Sequence, residues 1–331
     1  MTNQGKFFIT GATGLIGSNL TRQLTKAGYQ VRALVRSPEK AGWLEDIGAE
    51  IVQGDITDAN SLMSSVQGCQ YVYHAAAWVS ESGSKDEIWN ANVRGTQNVV
   101  NAAIAAQVQR FIHISSCAVY GSRQVFNIDE SFPTRKTGKF YWDSKIEAEE
   151  IAQQAQKQQD LPVVIARVSQ VYGPGSYQFT IRPIEVIKTG KMILIDGGKH
   201  MCKPIFIDNL IEALMLCAEK EQVIGEAINL TDGYPIPWKE FFGSYGRMLG
   251  KESFPSLPYP LAWTAALFFE IQAAITGKKA SFTRSAVNSL RSSNSFSNKK
   301  AKMLLNWEPR YTLEQGMAQT EIWLREEGLI N

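Results

Sequence analysis

The 331-residue chain is poor in cysteine, in net charge and in long apolar runs, and each shortage removes a class of protein. Four scattered cysteines, Cys69, Cys117, Cys202 and Cys217, exclude a disulfide framework and a zinc cluster of closely spaced ligands. No metal is expected, and the thiols read as small apolar filler in a reducing cytoplasm. A formal charge of +2, with no arm of consecutive lysines and arginines, leaves no electrostatic footprint for nucleic acid. The N-terminus passes from Met1-Thr2-Asn3-Gln4-Gly5 into a strand without a charged n-region and cleavage site, so a cytoplasmic location is expected. The most apolar stretch, Leu261 to Ile275, contains Glu270 and Gln272 and is shorter than the roughly 20 apolar residues of a spanning helix. It reads as a core helix or dimer contact of a small lobe, a cover for an apolar substrate or, flanked by Lys278 and Lys279, a peripheral contact with a bilayer. No internal repeat or low-complexity tract is present.

What remains is an ordinary soluble composition, 44% apolar and 20% charged, long enough to bury a large core. The chain is organised around Phe7-Phe8-Ile9-Thr10-Gly11-Ala12-Thr13-Gly14-Leu15-Ile16-Gly17. The apolar run predicts a buried strand, and glycines at 11, 14 and 17 leave no side chain where the chain turns, meets a phosphate and packs helix on strand. A helix from Gly14 to about Ala27, stopped at Gly28, then aims its unpaired N–H groups at an anion. Strands follow at Gln30 to Arg36, Glu50 to Gln53, Gln70 to His74, Arg110 to Ser115 and Pro162 to Val168. Helices are read near Glu39 to Ile47, from Asp58, from Asp86 to Ala106 and from Tyr141 to Gln158. This alternation predicts an α/β fold, a doubly wound parallel sheet, because parallel neighbours need crossovers of this length. Residues 1–170 are expected to form the dinucleotide-binding Rossmann domain. Residues 171–331 form a smaller, mostly helical substrate lobe interleaved with the last strands, with Tyr177 to Lys188 and Asp208 to Glu219 helical and Met192 to Ile195 and Pro204 to Ile207 extended.

Candidate site residues follow from where strands end. The second strand closes on Leu34-Val35-Arg36-Ser37 with no acid until Glu39; a guanidinium there suits a 2′-phosphate, which favours NADP over NAD. Arg32 lies four residues earlier on the same face, further from the turn. After the third strand, Asp55 is placed to accept from the adenine amino group, with Ile56 beside it, while Asp58 reads as a helix N-cap. His74-Ala75-Ala76-Ala77 presents small side chains at 75, 76 and 77 for close approach of the cofactor; His74 is read as structural and bonded to backbone. The fifth strand delivers the hydroxyls of Ser115 and Ser116 to the carboxyl edge of the sheet. Tyr141 and Lys145, four apart on a helix start, share one face, and a neighbouring cation favours the phenolate.

Taken together, Thr10 to Gly17, Gly54-Asp55, His74-Ala75-Ala76, Asn92-Val93-Arg94-Gly95-Thr96, Ser115-Ser116 with Val119-Tyr120-Gly121, Tyr141-x-x-x-Lys145 and Arg167 to Gly175 resemble the extended short-chain dehydrogenases/reductases over nearly the whole chain. The resemblance implies that Tyr141 is the general acid/base and that Lys145 binds nicotinamide ribose hydroxyls and depresses the tyrosine pKa. It also implies that Ser116 holds the reacting oxygen, with Ser115 as fallback, and that Asn92 supports a proton relay. Val168, Ser169 and Val171 would contact the nicotinamide, by backbone from Ser169 to Val171. The end of the second strand looks like dihydroflavonol reductases. Pro204 to Leu210, Pro258 to Ile275 and Asn298 to Pro309 resemble hydroxysteroid and sterol dehydrogenases. An NADP-dependent alcohol/ketone oxidoreductase acting on an apolar small molecule is therefore expected. A nucleotide-sugar epimerase or dehydratase is the second reading and a catalytically silent cofactor-binding protein the third. Cys202-Lys203 stands where sugar-nucleotide enzymes usually carry an arginine, a departure that weakens the second reading, although Arg182, Lys191 or Lys199 could take that role. Relatives suggest a homodimer through the helices near 86–106 and 141–158.

Overall fold

The computed structural model describes residues 5–79, 83–122, 124–277 and 282–331. Seven parallel strands form the central sheet: β1 (Lys6–Thr10), β2 (Gln30–Val35), β3 (Glu50–Gln53), β4 (Tyr71–His74), β5 (Arg110–Ser116), β6 (Val163–Val168) and β7 (Ala227–Leu230). Their order across the sheet is β7-β6-β5-β4-β1-β2-β3. The chain winds outward from β1 to β3, then restarts at β4 on the other side of β1. That reversal opens a crevice at the carboxyl ends of β1 and β4, where ligands of such sheets sit.

Residue alternation divides the core into two layers. Phe7, Ile9, Tyr73, Ile112 and Ile114 pack on one face with Leu20 and Leu24 of helix α1 (Leu15–Lys26). Phe8, Val72, Phe111, Val163 and Ile165 pack on the other face, with Leu62 of α2 (Ala59–Ser65) and Val99 and Ala103 of α3 (Gly95–Ala105). Apolar residues on both faces of each strand are what a sheet covered by helices on both sides requires. Asp58 caps α2 as expected, its carboxylate accepting from Asn60 N–H at 3.0 Å.

Three elements depart from the sequence expectation. The continuous helix read over 86–106 is instead Lys85–Trp89, a π turn at Asn90–Arg94 and then α3. The wide turn lies where Asn92 is buried, and π turns often mark functional positions. The expected extended run from Met192 shrinks to Leu194–Ile195, paired with Ser256–Leu257. The apolar stretch is helix α6 (Tyr259–Thr276), and it is not a core helix. Only Ala262 and Ala266 are buried, while Leu261, Phe268, Ile271 and Ile275 are more than half exposed. Lys278 and Lys279 lie outside the described residues. Among the described residues no helix is long and apolar enough to cross a membrane.

Two further helices position the chemistry: α4 (Phe140–Gln159), which follows β5 and crosses to β6, and α5 (Ile207–Glu219), which packs on α1. Because β7 returns to pair with β6 after the α5 excursion, the sheet itself contains residues from both halves of the chain.

Candidate active site

The glycine turn is built by close approach. Gly11 has φ +70°, and a Cβ there would stand 2.6 Å from the Ala76 nitrogen; a Cβ on Gly17 would stand 2.2 Å from the Gly11 carbonyl oxygen. Gly14 N–H donates to Gly11 O at 2.9 Å and caps α1 without any side-chain acceptor. The first helix bond runs from Ser18 N–H to Gly14 O, so the N–H groups of Leu15, Ile16 and Gly17 are left for an anion. Ala75 and Ala76 lie against this turn, their N–H groups bonded to the Thr10 carbonyl and hydroxyl; Ala77 follows them.

The two arginines of this region separate cleanly. Arg32 is tied to Glu50 and to the carbonyls of Ser65 and Gln67. Arg36 is exposed and makes no hydrogen bond or ion pair among the described residues. Asp55 Oδ1 accepts from the Thr57 N–H and hydroxyl, both at 2.8 Å, and so closes a local turn at the end of β3. Ile56 is buried against Gly95, and its carbonyl accepts from Asn98. His74 is structural, but its partners are side chains and not backbone: its two ring nitrogens meet the hydroxyls of Thr10 (2.8 Å) and Thr96 (3.0 Å).

At the end of β5 the two serines divide as well. Ser115 Oγ donates to buried Glu149 at 2.5 Å, and Glu149 is clamped by Arg167 at 2.7 Å. That engagement removes Ser115 as the fallback. Ser116 accepts from Ala118 N–H at 3.2 Å and stands beside the phenol of Tyr141, near enough to lower its pKa. Tyr141, Lys145 and Glu149 follow at four-residue steps and so share one face of α4. The start of α4 is pinned by Asp143, which accepts from the N–H groups of Thr137 (2.7 Å) and Gly138 (2.9 Å).

Lys145 is buried, its ammonium donating to the Ile114 carbonyl at 2.8 Å with His113 Nε2 at 3.4 Å. Burial lowers its pKa to about 8, against an opposing pull from Glu149. The expected depression of the Tyr141 pKa is not what the structure gives. Burial pushes the phenol up, and the opposing influence is the neighbouring Ser116 hydroxyl. Asn92 accepts from Trp78 N–H at 2.7 Å and donates to the Trp78 carbonyl and to Ser144 Oγ, which donates to the Tyr141 carbonyl at 2.7 Å. Its direct contacts therefore brace the backbone on both sides of the site.

Val168 and Val171 are buried in strands. The backbone N–H groups of Ser169 and Gln170 are taken by Leu230 O and Lys203 O, so backbone donation to a nicotinamide at these two positions is not free. The Ser169 hydroxyl, however, is buried without a partner. Glu149 and His113 were missed by sequence reasoning. The four-residue step beyond Lys145 could have flagged Glu149, and a histidine inside the apolar run Phe111 to Ile114 could have flagged His113. Among the described residues no group of three His, Cys, Asp or Glu side chains is placed to hold a metal ion.

Nicotinamide-dinucleotide chemistry fits this arrangement. An uncapped helix end and a glycine turn that tolerates no Cβ suit a pyrophosphate, an orphan Ser169 hydroxyl waits beside β6, and a serine, a phenol and an ammonium lie at the same sheet edge. The chain belongs to the NAD dependent epimerase/dehydratase family, whose model matches residues 7–231, within the extended short-chain dehydrogenases/reductases. Over 315 residues it is 32% identical to a 4-hydroxy-2-methyl-3-oxo-4-farnesyl-3,4-dihydroquinoline-1-oxide ketoreductase of Stigmatella aurantiaca, covering 94% of each chain. It is 28% identical to a 3-beta-hydroxysteroid dehydrogenase of Mycolicibacterium neoaurum, over 96% of this chain and 91% of that one. Its fold is shared with UDP-glucuronic acid 4-epimerase from Bacillus cereus in complex with NAD, at TM-score 0.79 and 21% identity, covering 97% and 99% of the two chains. The protein is an enzyme of the short-chain dehydrogenase/reductase type.

Proposed function

We propose that this enzyme is an NADP-dependent oxidoreductase that interconverts a secondary alcohol and a ketone on a largely apolar small molecule of hydroxysteroid or dihydroflavonol type. The observation that carries the reading is the Tyr141 phenol beside Ser116, with the buried Lys145 ammonium one helical turn beyond it. A bound nicotinamide dinucleotide would supply or take up hydride at the substrate carbon, held by residues 11–17, by Ala75 to Ala77 and by the Ser169 hydroxyl. The protein's own work is at the oxygen. Ser116 orients it by hydrogen bond, and Tyr141 delivers or removes the proton. Lys145, cationic below its pKa of about 8, keeps positive charge beside the phenol as that proton moves. Arg36, free at the end of β2, is the group that favours the 2′-phosphate of NADP.

Three features support an apolar substrate. Trp78 (37% exposed) and Phe140 (41% exposed) leave apolar area next to Asn92 and Tyr141. The ketoreductase and hydroxysteroid dehydrogenase relatives are named for a farnesyl-bearing dihydroquinoline oxide and for 3-beta-hydroxysteroids. Lys203, at the position where a diphosphate-gripping arginine is absent, is buried with its ammonium on the Ser292 carbonyl at 2.9 Å, and Cys202 is fully buried. We assign the outward face of α6 to a bilayer surface. The helix's single charge, Glu270, is bonded to Arg284, and the next charges along the chain are Lys278 and Lys279. A panel of sterols, 3-ketoacyl compounds, flavonols and nucleotide sugars, followed by NADPH absorbance, tests the substrate class. Turnover of an apolar ketone is expected; turnover confined to nucleotide sugars would transfer the enzyme to the epimerase/dehydratase reading.

A further inference from the structure

Beneath Lys145 lie two histidines on adjacent strands, His74 of β4 and His113 of β5, directly opposite each other in register, with ring centroids 5.5 Å apart. Both are buried, yet they are held in opposite ways. His74 has both nitrogens engaged by threonine hydroxyls. His113 has Nε2 beside the Lys145 ammonium and Nδ1 buried with no partner at all. An orphaned polar atom in a core otherwise made of Phe111, Ile112 and Ile114 is unfavourable, and an apolar side chain would avoid it. Its presence needs a reason, and the reason lies on the other edge of the ring.

An ammonium has three N–H donors. The Ile114 carbonyl takes one at 2.8 Å and His113 Nε2 receives a second at 3.4 Å, both from the β5 side. For Nε2 to accept, the ring proton must sit on Nδ1, which is the orphaned atom. Burial, then Lys145, then His74 hold the His113 pKa well below its ordinary value, so the ring stays uncharged. The other ionisable groups around Lys145 are Tyr141 and Glu149 on its own helix, Glu149 being paired with Arg167 of β6.

We propose that His113 is a positioning residue for the reaction: by presenting a bare Nε2 it fixes, together with the Ile114 carbonyl, two of the three Lys145 N–H bonds and leaves the third directed away from β5 for the cofactor. The proposal rests on the reading of Lys145 given above. It accounts for a buried lysine with defined orientation, and for an orphaned nitrogen that a purely structural ring would not need.

The first test uses ligand-free protein. The chain has only three histidines, so long-range ¹H–¹⁵N spectra of ¹⁵N-histidine-labelled enzyme can assign His113. The expected result is an uncharged ring with its proton on Nδ1 at every pH where the enzyme stays folded, perturbed in Lys145→Met; a proton on Nε2, or protonation at the ordinary histidine value, overturns the proposal. The second test compares His113→Phe with His113→Gln, whose amide oxygen restores an acceptor. Loss of the acceptor should weaken NADPH binding about tenfold and move the titration of Lys145 in ligand-free protein down by about one pH unit, with His113→Gln recovering most of both. Binding and titration unchanged within about twofold in His113→Phe also overturn it. If His113→Phe does not fold, the spectra of the unsubstituted protein decide alone. Lys145→Met separates the two levels. Turnover surviving that substitution sinks the functional reading, whereas turnover lost there and His113→Phe without effect sinks only this one.

Discussion

The sheet side of the site and the C-terminal lobe are held by different means. At the ends of β4, β5 and β6, charged and polar groups are buried and over-determined: Ser115, Glu149 and Arg167 form one linked set, His74 bridges two threonines, and Asn92 braces Trp78 and Ser144. In the lobe, paired strands are two or three residues long, and α6 turns Leu261, Phe268 and Ile275 outward, the last 81% exposed. Reaction chemistry needs fixed side chains, whereas a substrate surface needs shape and apolar area. On the function proposed above, the fixed sheet edge carries the reaction chemistry and the second half sets what is bound.

The comparison breaks first at Glu149. Replacing it with leucine leaves Arg167 charged and unpaired in the core, and urea unfolding should show a loss of about 3–5 kcal/mol. A loss below about 1 kcal/mol would mean that the sheet side is no more tightly specified than the lobe.

Lys145 provides the pH test. Its folded pKa is lowered from 10.5 to about 8 by burial. The unfolded chain therefore binds the proton more tightly, and the enzyme gains stability as pH rises from 8 to 10.5. Lys145→Met removes a buried charge, so the variant should be more stable than the parent at pH 7, by up to about 3 kcal/mol. That advantage should fade above pH 10; an advantage independent of pH contradicts the assignment.

Arg36→Asp should weaken NADPH by about tenfold more than NADH in equilibrium binding, because a phosphate loses its fork and meets a carboxylate. An unaltered preference would show that Arg36 does not read the phosphate. The smallest effect belongs to α6. Phe268→Glu with Ile275→Glu should cut sedimentation with anionic phospholipid vesicles several-fold and leave turnover of a water-soluble ketone unchanged. Equal sedimentation before and after, or a change of oligomeric state instead, removes the bilayer assignment.

The sheet was legible because its signals are local: apolar runs, glycines at 11, 14 and 17, and Asp58 ahead of α2. The site was legible in its residue types and less so in its division of labour. Ser115 and Ser116 are adjacent hydroxyls, and which one faces the phenol is decided by Glu149, 34 residues away on α4. Arg32 lies in β2 and Arg36 just past its end, and Glu50 of the neighbouring strand captures only the first. The π turn around Asn92 left no periodic trace, since a single wide turn hardly alters helical spacing. Two-residue strands in the lobe exist only through partners distant in sequence, such as Leu194–Ile195 against Ser256–Leu257.

The phenol of Tyr141, beside Ser116, is the group proposed to move the proton on the substrate oxygen. Tyr141→Phe, assayed side by side for NADPH binding and for turnover of the best ketone in the panel, tests it most directly. Binding should stay within about twofold while turnover falls about a thousandfold; a variant that turns over at the parent's rate would contradict the account.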